Sequence, residues 1–197
     1  MGGGFHHCSH DAASGFCLFA DITLVIKFLW RFVSRDLRFM IIDLDAHQGN
    51  GHERDVLSMA KEQQKQVYIM DVFNPMIFPH DVDARPAIDR LIEVPSRTRG
   101  DKYLQLVEFH VSQSFTDFPD PDLVIFNAGT DILKGDPLGR LSVDFDAVVK
   151  RDEIVFSQTI GINKKKILML TSGGYTSRSA DVVSASIQNL FNKKLII

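Results

Sequence analysis

The chain has 197 residues, of which 45% are hydrophobic and 24% charged, and its formal net charge is −3. This balance suits one soluble globular domain with a sizeable core, and it offers no basic footprint for direct nucleic-acid binding. Two cysteines, Cys8 and Cys17, are too few for a secreted disulfide framework and point to a reducing, intracellular compartment. Residues 1–6 lack the apolar stretch of a signal peptide. The apolar run 22–33 is interrupted by Lys27 and Arg31 and is too short to span a bilayer, so no membrane partner is expected.

In chain order, Asp21 is placed to cap a helix over residues 22–34, with Ile22, Val25, Ile26, Leu29, Trp30 and Val33 on one face. A strand is expected at 39–44, a short helix at 51–63, and a second strand at 67–72. Residues 74–86 hold three prolines and read as a loop. A short strand follows at 91–94. Asp101 is placed to cap a helix running to 115, with Leu104, Val107, Val111 and Phe115 inward. Then come a strand at 123–127, a Gly-rich loop to 142, a helix at 146–159, a strand at 167–171 and a final amphipathic helix at 180–191. Strands that are near-continuous apolar runs, alternating with helices, predict an α/β fold with a mainly parallel sheet covered on both faces. Ligands bind such sheets beyond the carboxyl ends of the strands.

Three strand ends carry polar clusters. The first is Asp43, Asp45 and His47, the second ends in Asp131, and the third is Ser172-Gly173-Gly174-Tyr175. Side chains two apart on an extended segment point the same way, so Asp43, Asp45 and His47 can converge. Asp45 and His47 supply two metal ligands, Asp131 could supply the third, and a position stays open for water. Zinc is the first choice, although oxygen-rich ligation also suits iron(II) or manganese. His6-His7 offers a neutral imidazole that can take a proton. Tyr175 follows two glycines that allow close backbone approach, and its hydroxyl can donate to a developing oxyanion.

His6-His7, Gly15-Phe16-Cys17, Asp43-Leu-Asp-Ala-His-Gln-Gly-Asn-Gly51, Asn127-Ala-Gly-Thr-Asp131, Gly135-Asp-Pro-Leu-Gly139 and Gly173-Gly-Tyr175 together resemble the zinc-dependent histone deacetylases. The run from Asp43 to Asp55 and Tyr68-Ile-Met-Asp71 resemble the class IV, histone deacetylase 11-like branch. The resemblance implies the three-layer α/β/α arginase–deacetylase fold over a single, partial catalytic domain spanning 1–197, and zinc on Asp45, His47 and Asp131. It implies that His7 is the general base and acid beside His6, that Tyr175 polarises the amide carbonyl, and that Asp43 bonds His6 and helps hold a structural K+. It also implies a narrow acyl-lysine channel walled by Phe16 and Phe78, with Gly15 beside it, Leu138 at the rim and Gly173-Gly174 below. Substrates would be acyl-lysine proteins such as histone tails, with corepressor-type partners and a nuclear or cytoplasmic location.

Two departures stand out. Asn50 occupies the position of an Asp that supports the second histidine in many relatives, and an amide stabilises imidazolium less well. The tandem histidines also stand at positions 6 and 7, so the resemblance implies a chain without the segment, with its early strands, that precedes them in the family. The 39–44 strand is therefore expected to be an unpaired apolar edge beside the Tyr175 strand, and the chain to be poorly stable alone. The alternative function is a truncated, catalytically weak or inactive deacetylase fragment acting through partner binding.

Overall fold

The computed structural model describes residues 3–197. Five strands, β1 (Phe39–Asp43), β2 (Val67–Phe73), β3 (Arg90–Glu93), β4 (Leu123–Asn127) and β5 (Lys166–Leu170), form one sheet in the order β3-β2-β1-β4-β5. Every pairing is parallel. The helices are α1 (Asp21–Phe32), α2 (Asn50–Ser58), α3 (Lys61–Gln64), α4 (Gly100–Asp117), α5 (Phe145–Phe156) and α6 (Ser179–Asn192).

The sheet separates two apolar layers, and β1 shows how. Phe39 and Ile41 pack with Ile22, Ile26 and Trp30 of α1. Met40 and Ile42 pack on the other face with Val107 and Val111 of α4, Val148 of α5 and Val182 of α6. The period of two sends alternate side chains to opposite faces. Burial on both faces explains the unbroken apolar run. The chain winds from β1 to β3 in one direction and then returns to β4 and β5 on the other side of β1. The order thus reverses between β1 and β4, and that switch point is where a crevice opens at the strands' carboxyl ends.

Several expectations need correction. β1 is not an edge: it pairs with β2 on one side and β4 on the other. The Tyr175 strand, β5, does not adjoin it and is itself an edge, its apolar residues only half-buried. Asp101 caps no helix, and the cap positions fall at Ala20 and Arg99, without side-chain bonds; Asp21, one residue into α1, still accepts from Ile22 N at 3.0 Å. Asp21 has other partners, described below. Val33 lies past the end of α1 and is exposed. The helix expected at 51–63 is two, because Met59 adopts extended backbone between them. α5 begins one residue early, capped by Asp144, whose carboxylate accepts from Ala147 N at 3.0 Å.

Candidate metal centre and active site

The segments leaving β1 and β4 bring Asp45, His47 and Asp131 together, with one ligand atom from each lying within 4.8 Å of the others. All three are buried. His47 Nδ1 lies 2.7 Å from Asp131 Oδ2 and 3.1 Å from Asp45 Oδ1. The outer oxygens are held by the backbone: Ala46 N donates to Asp131 Oδ1 at 2.8 Å, and Gly173 N donates to Asp45 Oδ2 at 2.9 Å. Gly173 must be glycine, since a Cβ there would lie 2.6 Å from Asp45 Oδ2 and 3.1 Å from Asp131 Oδ2.

Electrostatics show what this cluster lacks. Burial raises Asp131, Asp45 adds to the effect, and the carboxyl reaches about 7. Burial alone would lower His47, but its bonds to Asp131 and Asp45 outweigh it and lift the imidazole to about 10. A proton thus sits on His47 because two buried carboxylates need a positive charge between them. Two carboxylates and one imidazole, with room for further ligands, fit a divalent ion.

The histidine pair stands alongside, with ring centroids 4.0 Å apart. His6 Nδ1 lies 2.9 Å from Asp43 Oδ2, and His7 Nδ1 lies 2.8 Å from Asn50 Oδ1. The two rings hold protons differently. For His6, burial is overcome by Asp43 and Asp45, and the ring rises to about 9. For His7, burial and the charge on His6 prevail and the ring falls to about 3. Asn50 Oδ1 can only accept, so His7 carries its proton on Nδ1 and keeps a free lone pair on Nε2.

A pocket of about 550 Å³ opens above these groups, lined by His7, His47 and Tyr175. Four of the six expected channel residues, Gly15, Phe16, Phe78 and Leu138, line it. The Phe78 ring meets His7 edge-on at 4.9 Å, and Phe16 faces Tyr175 at 6.1 Å. Gly15 packs against the His7 ring, where a Cβ would come within 2.3 Å of Cδ2. Gly173 and Gly174 instead border a smaller inner cavity of about 200 Å³, together with His6. Tyr175 is 41% exposed, with its backbone N–H anchored on Asp136 Oδ2 at 2.8 Å. Burial, then Asp45, raises its phenol above the ordinary range, so it keeps its proton as a donor.

The histone deacetylase domain model matches residues 1–191. The chain belongs to the histone deacetylase domain family. Histone deacetylase 2 of Arabidopsis thaliana is 48% identical over 196 residues, covering 100% of this chain and 49% of that protein. Histone deacetylase 8 of Xenopus laevis is 29% identical, covering 88% of this chain and 52% of that one. Among solved structures, the HDA15 HD domain superposes with a TM-score of 0.77 at 24% identity, over 95% of this chain and 54% of that one. Acetylpolyamine aminohydrolase from Burkholderia pseudomallei gives 0.76 at 20% identity, over 95% and 53%. These likenesses establish the arginase–deacetylase type of α/β fold. The chain spans about half the length of the curated relatives it matches.

Within this histone deacetylase domain, several supporting residues escaped the sequence reading. Asn50 Nδ2 donates to Asp81 Oδ2 at 3.0 Å, and Arg54 Nε donates to the same carboxylate at 2.5 Å. Asp21 accepts from Gly4 N at 2.8 Å and Phe5 N at 2.9 Å, tying down the residues before His6. The fully buried Arg151 bonds the carbonyls of Ala128 and Gly129. His52 bonds Asp43. Asp71, the register partner of Asp43, and Glu53 turn a buried oxygen toward each other, with no donor for either among the described residues. Burial, then Asp43 and Glu53, pushes Asp71 well above the carboxylate range.

Proposed function

We propose that this domain hydrolyses the amide of acyl-lysine side chains in proteins, releasing acetyl or longer acyl groups, with Zn2+ on Asp45, His47 and Asp131. The observation that carries the proposal is the convergence of that ligand trio with the tandem histidines beneath a pocket lined by His7, His47 and Tyr175. Bound there, the ion would polarise the amide carbonyl and make water a nucleophile at neutral pH. His7 Nε2, neutral and facing the pocket, takes the proton from the attacking water. His6, held by Asp43, is the neighbour that helps return a proton to the departing lysine amine. The Tyr175 hydroxyl donates to the oxygen as negative charge develops on it. Phe16 and Phe78 flank the lysine stem, with Gly15 beside it and Leu138 at the rim.

The facing buried oxygens of Asp71 and Glu53, which have no donor between them, support a structural K+ near Asp43. The runs Asp43 to Asp55 and Tyr68 to Asp71 support the class IV branch. Histone tails as substrates, corepressor-type partners, a role in transcription and a nuclear or cytoplasmic location belong to the same proposal. A second reading, a catalytically weak partial domain working through partner binding, is favoured by the half-buried edge strand β5. Zinc-loaded protein with acetyl- and long-acyl-lysine peptides separates the two. Turnover that a chelator abolishes supports the first reading, and bound zinc without turnover supports the second. A protein with neither zinc nor turnover contradicts the hydrolase assignment.

A further inference from the structure

The first turn of α2 touches both tandem histidines. Asn50 Oδ1 meets His7 Nδ1, and Gly51 N donates to the His6 carbonyl at 2.8 Å. Position 51 is glycine for this contact, since a Cβ there would lie 2.5 Å from the His7 carbonyl carbon. The third residue of the turn is His52, whose ring is 1% exposed. Its Nε2 lies 2.9 Å from Asp43 Oδ2, the same oxygen that faces His6 Nδ1 at 2.9 Å. Gly49 keeps the two in contact, because a Cβ there would stand 2.1 Å from Nε2 and 2.5 Å from Oδ2. His52 Nδ1 has no partner among the described residues.

These contacts assign every lone pair of Asp43. An ionised carboxylate accepts at about four sites. Oδ1 takes Asn127 Nδ2 at 2.9 Å and Asp45 N at 3.2 Å. Oδ2 takes the two imidazoles. His52 must carry its proton on Nε2, since that nitrogen's partner is an acceptor. His6 is then protonated on Nδ1, and its Nε2 turns toward Asp45, 3.6 Å away. A carboxylate with all four sites filled has one orientation. Without the His52 donor, Oδ2 keeps only the His6 bond, so the plane of Asp43 can tilt about the two bonds still held by Oδ1, and the His6 ring tilts with it.

We infer that His52 is a positioning residue for the histidine pair, acting through Asp43 to fix the orientation of His6. The first turn of α2 then serves both rings, Asn50 directly and His52 at one remove. The inference rests on the acid–base role proposed for His6 and His7, and its test does not depend on turnover alone.

His52→Gln keeps an N–H donor near the place of Nε2, and His52→Met keeps the length without the donor. Nitrogen-15 spectra of the metal-free 197-residue chain report the tautomer of each ring. The wild type is expected to show His52 protonated on Nε2 alone and one set of His6 signals with Nδ1 protonated. His52→Gln should preserve the single His6 signal, and His52→Met should broaden or divide it. In peptide turnover, His52→Met should lower kcat by roughly 10–100-fold, the usual effect of losing a partner behind a metal ligand or catalytic group, with KM unchanged and with His52→Gln restoring the rate. A wild-type His52 protonated on Nδ1 overturns the inference, and that measurement needs no variant to fold. So does a His52→Met protein with an unaltered His6 signal and kcat but a lower melting temperature, which would make His52 a packing residue. Absence of turnover in every form contradicts the hydrolase proposal instead and leaves the ring signals to decide about His52.

Discussion

Asn50→Asp places an anion between two partners with opposite needs. His7 Nδ1, 2.8 Å from Asn50 Oδ1, donates, and Asp81 Oδ2, 3.0 Å from Asn50 Nδ2, accepts. A carboxylate at 50 keeps the first bond, strengthens it by charge, and loses the second. At this separation and an effective dielectric of about 20, two like charges repel by roughly 5 kcal/mol. Arg54 Nε, 2.5 Å from Asp81 Oδ2, offsets much of that, and so does solvent reaching this partly exposed pair. The net loss expected is about 1–3 kcal/mol, the range for leaving one polar partner unmatched. A new anion beside His7 raises its pKa by about 1–3 pH units from a starting value of about 3. His7 works as a base only while neutral, so activity is lost as pH falls through its pKa. Raising that pKa moves the acidic limb of the pH–rate profile toward alkaline pH. The assays are urea unfolding and acyl-lysine hydrolysis across pH. Adding Asp81→Asn should recover the stability and leave the profile shifted. An unmoved profile with an unchanged unfolding midpoint would mean that residue 50 does not touch the catalytic histidine.

Tyr175→Phe should leave the fold and the metal in place and reduce kcat by roughly 10²–10³, the loss typical of one oxyanion donor; wild-type turnover would make Tyr175 a packing residue. Zinc binding near pH 7 should release roughly one to two protons, because ligands must be deprotonated, and the proton on His47 at about 10 and part of that on Asp131 at about 7 have to leave. Calorimetry in buffers of different ionisation enthalpy measures that number, and zero release would remove His47 from the ligand set. Leu168→Lys on the half-buried edge strand β5 should reduce self-association in light scattering with little change in melting temperature, since a charge on an edge blunts strand addition. Unchanged association would place the adhesive surface elsewhere.

The strands were legible because each is an apolar run broken by turn residues, and β4 falls at the expected residues. The convergence of Asp45, His47 and Asp131 was legible for a related reason. Asp45 and His47 stand two apart just beyond a strand, and parallel sheets gather such positions at one edge. Lateral order was not legible. Strands apolar on both faces carry no local record of their neighbours, so β1 was expected at an edge where it is central. The supporting residues were hidden by ambiguity of type. Asp21 before an apolar helix looks like a cap, and nothing local says that its carboxylate turns to Gly4, 17 residues earlier. His52, two residues after Asn50, carried the one available hint, a third polar side chain in the turn that follows the metal motif. Asp81 lies in a loop whose approach to Asn50 and Arg54 is set entirely by tertiary packing.

Zinc content per chain tests most directly whether Asp45, His47 and Asp131 form one metal site. Dialysed wild-type protein measured by mass spectrometry should hold one equivalent of zinc beyond any monovalent ion, and Asp131→Ala with an unaltered far-UV spectrum should hold essentially none. Full zinc occupancy in Asp131→Ala, or a folded wild type that takes up no zinc, would contradict that site.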